Sequence, residues 1–237
     1  SRQIILPEIG VLGQQKLRDA HVLVIGAGGL GCPVLQNLAA AGVGSLGIVD
    51  GDVVEETNLH RQFLYTLKDC GKSKAATAAE AILLLNPDVD VTVFSEFFNK
   101  KNAFEIIGNY QIIVDCTDSI GVRYLINDVA VTKNIPVVYA SIYRFEGQVS
   151  VFNVPVKGSS KKFHYRDLFP HPPKDGEVQN CAEAGVLGVL PGIIGSFMAN
   201  ETIKLITGMG NLLSGTMLTY NALTNESMQW QLQKHPD

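Results

Sequence analysis

The chain has 237 residues, 46% of them hydrophobic, and a formal net charge of −4, which suits one large domain with a full core and gives no electrostatic footprint for nucleic acid or an anionic membrane. Its four cysteines, Cys32, Cys70, Cys116 and Cys181, include no C-x-x-C pair, so neither a disulfide framework nor a zinc ribbon is indicated and a reducing compartment fits. The apolar stretches are too short or too interrupted by Gly and Pro to span a bilayer, and the first residues carry no signal-peptide pattern, so a soluble, cytoplasmic protein is expected.

In chain order, residues 1–20 read as an N-terminal arm. Short buried strands come next at 21–25 (HVLVI), 45–49 (SLGIV), 89–94 (VDVTVF), 111–114 (QIIV) and 136–140 (PVVYA), each rich in β-branched residues and bounded by turn chemistry. Helix-length segments at 30–41, 72–85, 101–107 and 121–133 separate them. This alternation predicts an α/β fold, a Rossmann-like doubly wound and mostly parallel sheet over residues 21–140. Residues 141–237 change character. "EGQVSVFNVP" reads as a strand meeting a proline stop, and the charged, Pro-rich stretch over about 157–180 predicts a mobile loop. A long small-residue helix then leads to two closing strands joined near Asn221 to Asn225, an antiparallel C-terminal extension. The whole of 1–237 is read as a single domain.

The stretch "VLVIGAGGLG" places Gly26, Gly28 and Gly31 between a predicted strand and a predicted helix, where backbone amides at a helix N-terminus face phosphates. Gly29 leaves the approach unobstructed. Asp50 closes the second strand at about the twenty-residue distance from which a carboxylate bonds ribose hydroxyls. These residues alone equally describe an NAD-dependent oxidoreductase. The segment beyond Asp50 differs: "TNLHRQ" supplies Asn58, Arg61 and Gln62, and "GKSK" supplies Lys72 and Lys74, cations suited to a triphosphate, although any one of them reads equally as a solvated surface charge. "IVDCTDS" ends the fourth strand with Asp115 and Asp118. A loop carboxylate there suits magnesium beside phosphate oxygens, while Asp118 or Ser119 would also serve as the cap of the next helix. Cys32 and Cys116 read as small core residues and Cys70 has no assigned role.

The ordered set "SRQIILPEIG", "GAGGLGCPV", "VDGDVVEETNLHRQ", "GKSKA", "DCTDS", "EGQVSVF" and "NCAEAGVLGVLPGIIGS" resembles the ThiF/MoeB/HesA family, relatives of the ubiquitin-activating enzymes, over essentially the whole length. The resemblance implies ATP-dependent adenylylation of the C-terminal glycine of a ubiquitin-like sulfur carrier ending in Gly-Gly, for thiamine thiazole or molybdopterin biosynthesis, with residues 141–237 as the carrier-binding part. It implies that Gly29 contacts the nucleotide, Asp50 takes the ribose, Asn58, Arg61 and Lys74 the phosphates, and Asp118 the magnesium, with Gln62 in support; Gly26, Gly28, Gly31 and Ser119 complete the candidate nucleotide-binding set. It further implies a homodimer in which Arg2 reaches the neighbouring subunit's phosphates, and a thiol at Cys181 able to join the carrier covalently. Many relatives hold a four-cysteine structural zinc. Here His164 and Asp167 stand at the first pair and the chain reaches His235 where the second would begin, so structural zinc is not expected. The alternative readings are an NAD-dependent oxidoreductase and a non-catalytic scaffold that binds the carrier; neither nucleic acid nor a membrane is expected as a partner.

Overall fold

A computed structural model of the chain describes residues 2–108, 110–173 and 185–234. The elements, in order, are α1 (Gly10–Arg18), β1 (His21–Ile25), α2 (Gly31–Ala41), β2 (Ser45–Val49), α3 (Lys74–Leu85), β3 (Asp90–Phe94), α4 (Ala103–Ile107), β4 (Ile112–Asp115) and α5 (Ile120–Lys133). They continue with β5 (Val137–Tyr143), β6 (Glu146–Phe152), α6 (Tyr165–Leu168), α7 (Leu190–Thr207), β7 (Thr216–Asn221) and β8 (Glu226–Gln231). The eight strands form one sheet in the order β3-β2-β1-β4-β5-β6-β7-β8. Pairing is parallel from β3 to β5 and antiparallel from β5 to β8. The expected doubly wound sheet with an antiparallel extension is therefore the observed fold.

Alternation along the strands divides the interior into two cores. In β1, Val22 and Val24 face a core built with Leu35, Leu38, Ile82, Leu190, Ile194 and Met198. Leu23 and Ile25 face the opposite core, with Ile106, Ile107, Ile126 and Val129. Successive side chains of a strand point to opposite faces, so a strand buried on both reads as an unbroken apolar run. Helices α1, α2, α3 and α7 cover one face and α4, α5 and α6 the other.

Two elements differ from the sequence reading. The arm contains a 3-10 turn at Arg2–Ile5 and then α1, which packs through Gly13 and Leu17 while Val11 and Leu12 stay exposed. Of the loop expected over about 157–180, residues 157–173 include a bridge from Lys162 to Pro155 and the short helix α6. Its remainder lies outside the described residues.

Candidate active site

β1 leads to β2 on one side and its other neighbour is β4, so a crevice opens at the carboxyl ends of these strands where the winding reverses. A cleft of about 930 Å³ occupies it. Gly26, Gly28, Gly29, Asp50, Asn58, Arg61, Gln62, Lys74, Asp118 and Ser119 all line that cleft. Segments far apart in the chain thus meet at one place.

The loop from β1 to α2 has its shape because two glycines permit it. Gly26 has φ +96 and donates to Val49 O at 2.8 Å; a Cβ there would stand 2.7 Å from Cys116 O. A Cβ on Gly31 would overlap the carbonyl oxygen of Gly26. A left-handed backbone and a close approach are both conditions that only glycine meets without strain. The Tyr65 hydroxyl donates to Ala27 O at 2.6 Å and so pins the loop from below. Cys32 and Cys116 are buried beside it, and burial pushes the Cys32 thiol up to about 12 and Cys116 well above its ordinary range. Both are packing groups, as read from the sequence.

Asp50 accepts the Ala27 amide on Oδ2 and the Asp52 amide on Oδ1, each at 2.8 Å. Its carboxylate therefore ties the glycine loop to the end of β2. Burial pushes its pKa up, against the opposing pull of those amides and of Lys74. Lys74, 7% exposed at the start of α3, sets its ammonium 3.2 Å from Asp52 Oδ2, and its amide donates to Asp52 O at 2.9 Å. Ser73 caps the helix through Ala76 N at 3.4 Å. Lys72 instead pairs with Asp69 at 2.9 Å and does not line the cleft.

Asn58 is a buried hub. Its Oδ1 accepts from Gln62 Nε2 at 2.9 Å and from Arg61 at 3.4 Å, and its Nδ2 donates to Glu55 at 3.1 Å. The Arg61 guanidinium also donates to His60 Nε2 at 2.8 Å and to Thr57 O at 3.4 Å. Gln62 Oε1 is buried with no hydrogen-bond partner among the described residues, an acceptor held inside the cleft wall.

Of the two carboxylates after β4, Asp118 is exposed at the cleft while Asp115 is 2% exposed behind it. The helix cap falls to Ser119, whose Oγ accepts from Val122 N at 3.4 Å. Asp115 accepts the Thr117 amide at 3.1 Å and lies 4.0 Å from Arg123 Nε; burial pushes its pKa up to about 6, with Arg123 and the Thr117 amide pulling the other way. Arg123 donates to Thr117 O at 2.8 Å and sits over the Tyr139 ring at 5.3 Å. It braces the loop that carries Asp118. Sequence reasoning missed Arg123 and Tyr65; a lone arginine on the apolar face of α5 was the available signal.

Arg2 is exposed and does not line the cleft of its own chain. Cys181 and His235 lie outside the described residues. His164 and Asp167 form a capping box at the start of α6, and Asp167 pairs with Lys234 at 3.1 Å. No helix among the described residues is long and apolar enough to cross a membrane.

The model of the ThiF family matches residues 1–237. The chain is 47% identical to a sulfur carrier protein adenylyltransferase of Thermus thermophilus over 235 residues, covering 99% of this chain and 87% of that protein. It is 48% identical over 238 residues to the probable adenylyltransferase/sulfurtransferase MoeZ of Mycobacterium tuberculosis, covering 100% of this chain and 60% of that one. It is 48% identical over 227 residues to the adenylyltransferase and sulfurtransferase MOCS3 of Xenopus laevis, covering 94% of this chain but only 48% of that protein. Among solved structures, PaaA matches with a TM-score of 0.77 at 27% identity, covering 94% of this chain and 67% of PaaA. MccB of E. coli with ATP matches in fold with a TM-score of 0.81 at 22% identity, covering 95% of this chain and 68% of MccB.

Proposed function

The chain belongs to the ThiF family, and from that premise we propose that it is an adenylyltransferase that uses ATP to adenylylate the C-terminal glycine of a ubiquitin-like sulfur carrier. A carboxylate oxygen of the carrier attacks the α-phosphorus of ATP; the bond to the bridging oxygen of the β-phosphate breaks, and pyrophosphate leaves with that electron pair. The observation that carries this reading is the meeting of the glycine loop, Lys74, Arg61 and Asp118 in one cleft. A nucleophile already ionised at neutral pH needs no general base. The site's task is to align two anions and to neutralise the charge that develops on the departing pyrophosphate.

The amides of the glycine loop and the N-terminus of α2 receive phosphate oxygens, and Asp50 keeps that loop in register with the ribose. Lys74 holds its ammonium in the cleft wall, paired with Asp52, and Arg61 stands on the adjoining turn with three neutral acceptors. Asn58 and Gln62 hold that turn. Asp118, exposed at the cleft, fits a magnesium ion of the kind that takes one carboxylate, phosphate oxygens and several waters; among the described residues no group of three acidic, His or Cys side chains forms a protein-only cage. Magnesium bound there would neutralise phosphate charge. Arg2, outside its own cleft, fits a role across a homodimer. The carrier partner rests on the relatives' activity as named.

Ligand-induced thermal shift tests the nucleotide assignment. ATP with magnesium raises the melting temperature and NAD leaves it unchanged. Stabilisation by NAD with none by ATP and magnesium would replace this reading with the oxidoreductase one.

A further inference from the structure

The motifs assign the phosphates and the ribose to named residues and leave the base without one. The order of the strands says where the base goes. From the glycine loop after β1 the sheet steps outward to β2, which ends at Asp50, and then to edge strand β3. A nucleotide with its phosphates on the loop and its ribose at Asp50 therefore carries its base toward the segment that leaves β3, residues 95–98. Glu96, Phe97 and Phe98 of that segment line the cleft.

Phe98 is buried in the core beneath, whereas Phe97 is 65% exposed. A Cβ on Gly51 would come within 2.7 Å of Phe97 Cγ, so the ring lies against the backbone directly after Asp50. Its position is braced. Phe97 O accepts from Asn99 Nδ2 at 2.8 Å and from Asn102 Nδ2 at 3.0 Å; Asn102 Nδ2 also reaches Glu96 Oε2 at 2.8 Å, and Asn102 Oδ1 accepts Asn99 N at 2.8 Å. Two asparagine side chains thus fold the turn back on itself and present one aromatic ring to the cleft. An exposed phenylalanine by itself needs no explanation. One held by a polar bracket at the rim of a nucleotide-sized cleft, beside the carboxylate suited to the ribose, has the properties of a stacking surface.

The geometry points to Phe97 as the platform on which the purine base of the nucleotide stacks, held in place by Asn99 and Asn102. This rests on the reading of the cleft as an ATP site. Stacking is tolerant of base identity, since every base has a π-face, so Phe97 supplies affinity for a base and does not choose adenine over guanine.

Calorimetric binding of ATP with magnesium and of inorganic triphosphate with magnesium to the full chain separates base from phosphate contributions. Phe97→Ala weakens ATP about ten-fold, the size expected for one lost base–aromatic contact, and leaves triphosphate binding unchanged. Phe97→Tyr retains wild-type ATP affinity. A Phe97→Ala chain that binds ATP as tightly as the wild type, or that loses ATP and triphosphate alike, overturns the platform while leaving the ATP site standing. A wild-type chain that binds triphosphate and gains nothing from the nucleoside overturns both.

Discussion

Asp115 and Asp118 stand three residues apart and differ in every physical respect that matters to the site. Asp118 meets solvent at the cleft, whereas Asp115 is sealed behind it against Arg123. Burial favours the protonated carboxyl of Asp115 and raises its pKa from 3.8 to about 6, so the folded chain holds that proton more tightly than the unfolded chain does. Its contribution to stability is complete below the unfolded value near 4 and is lost as the pH rises through about 6. A carboxyl-carbon NMR titration should find Asp115 near 6; a midpoint below 4 would mean that Arg123 outweighs burial. Residue identity at the cleft was largely legible, because Asp50, Lys74, Arg61 and Asp118 come after strand ends in a recognisable order. Tyr65 and Phe97 were not legible, and Arg123 showed only as a lone arginine on an apolar helix face. A buried hydroxyl, an arginine inside an apolar helix and an exposed aromatic acquire meaning only from neighbours distant in the chain.

The connection from β1 through the glycine loop to α2 shows two kinds of glycine. Gly31 has no room for a side chain, since its Cβ would overlap Gly26 O, whereas a Cβ on Gly28 would meet only Gln62 Nε2 at 3.5 Å, an ordinary contact. Gly31→Ala should therefore lower stability by roughly 1–3 kcal/mol as the loop backbone shifts to relieve overpacking. Gly28→Ala should melt like the wild type yet bind ATP more weakly, because the added methyl group intrudes on the phosphate cradle. Thermal melting and nucleotide titration of both variants check the contrast, and a Gly28→Ala chain with wild-type affinity would place the phosphates elsewhere. The strands were readable because each is a short apolar run between turn residues. Helix α1 was not. It buries only Gly13 and Leu17 and leaves Val11 and Leu12 in solvent, so no apolar stripe marks it. The irregular stretch between β2 and α3 is fixed by single bonds, such as the Thr66–Asp69 capping box and the Val53–Ser73 bridge, that no periodicity announces.

At the scale of the whole molecule, Arg2 lies outside the cleft of its own chain, and Ile5, Leu6, Val11 and Leu12 beside it are exposed. Exposed apolar side chains along this segment suit the proposed homodimer, in which an isologous contact would give each N-terminus access to the other subunit's site. Arg2→Ala and Lys74→Ala homodimers should each be nearly inactive. After subunit exchange, a mixed dimer holds one site with both groups intact, restoring up to half of the sites in those heterodimers. Verified exchange without recovered activity would place Arg2 outside the reaction. The carrier-dependent step defines the proposed activity, and isotope exchange between pyrophosphate and ATP reads it directly. With magnesium and a ubiquitin-like carrier ending in Gly-Gly, labelled pyrophosphate should enter ATP; without the carrier, or with Asp118→Ala, it should not. Exchange that proceeds equally with a carrier lacking its terminal glycine, or no exchange with any intact sulfur carrier, would contradict adenylylation of the carrier's C-terminus.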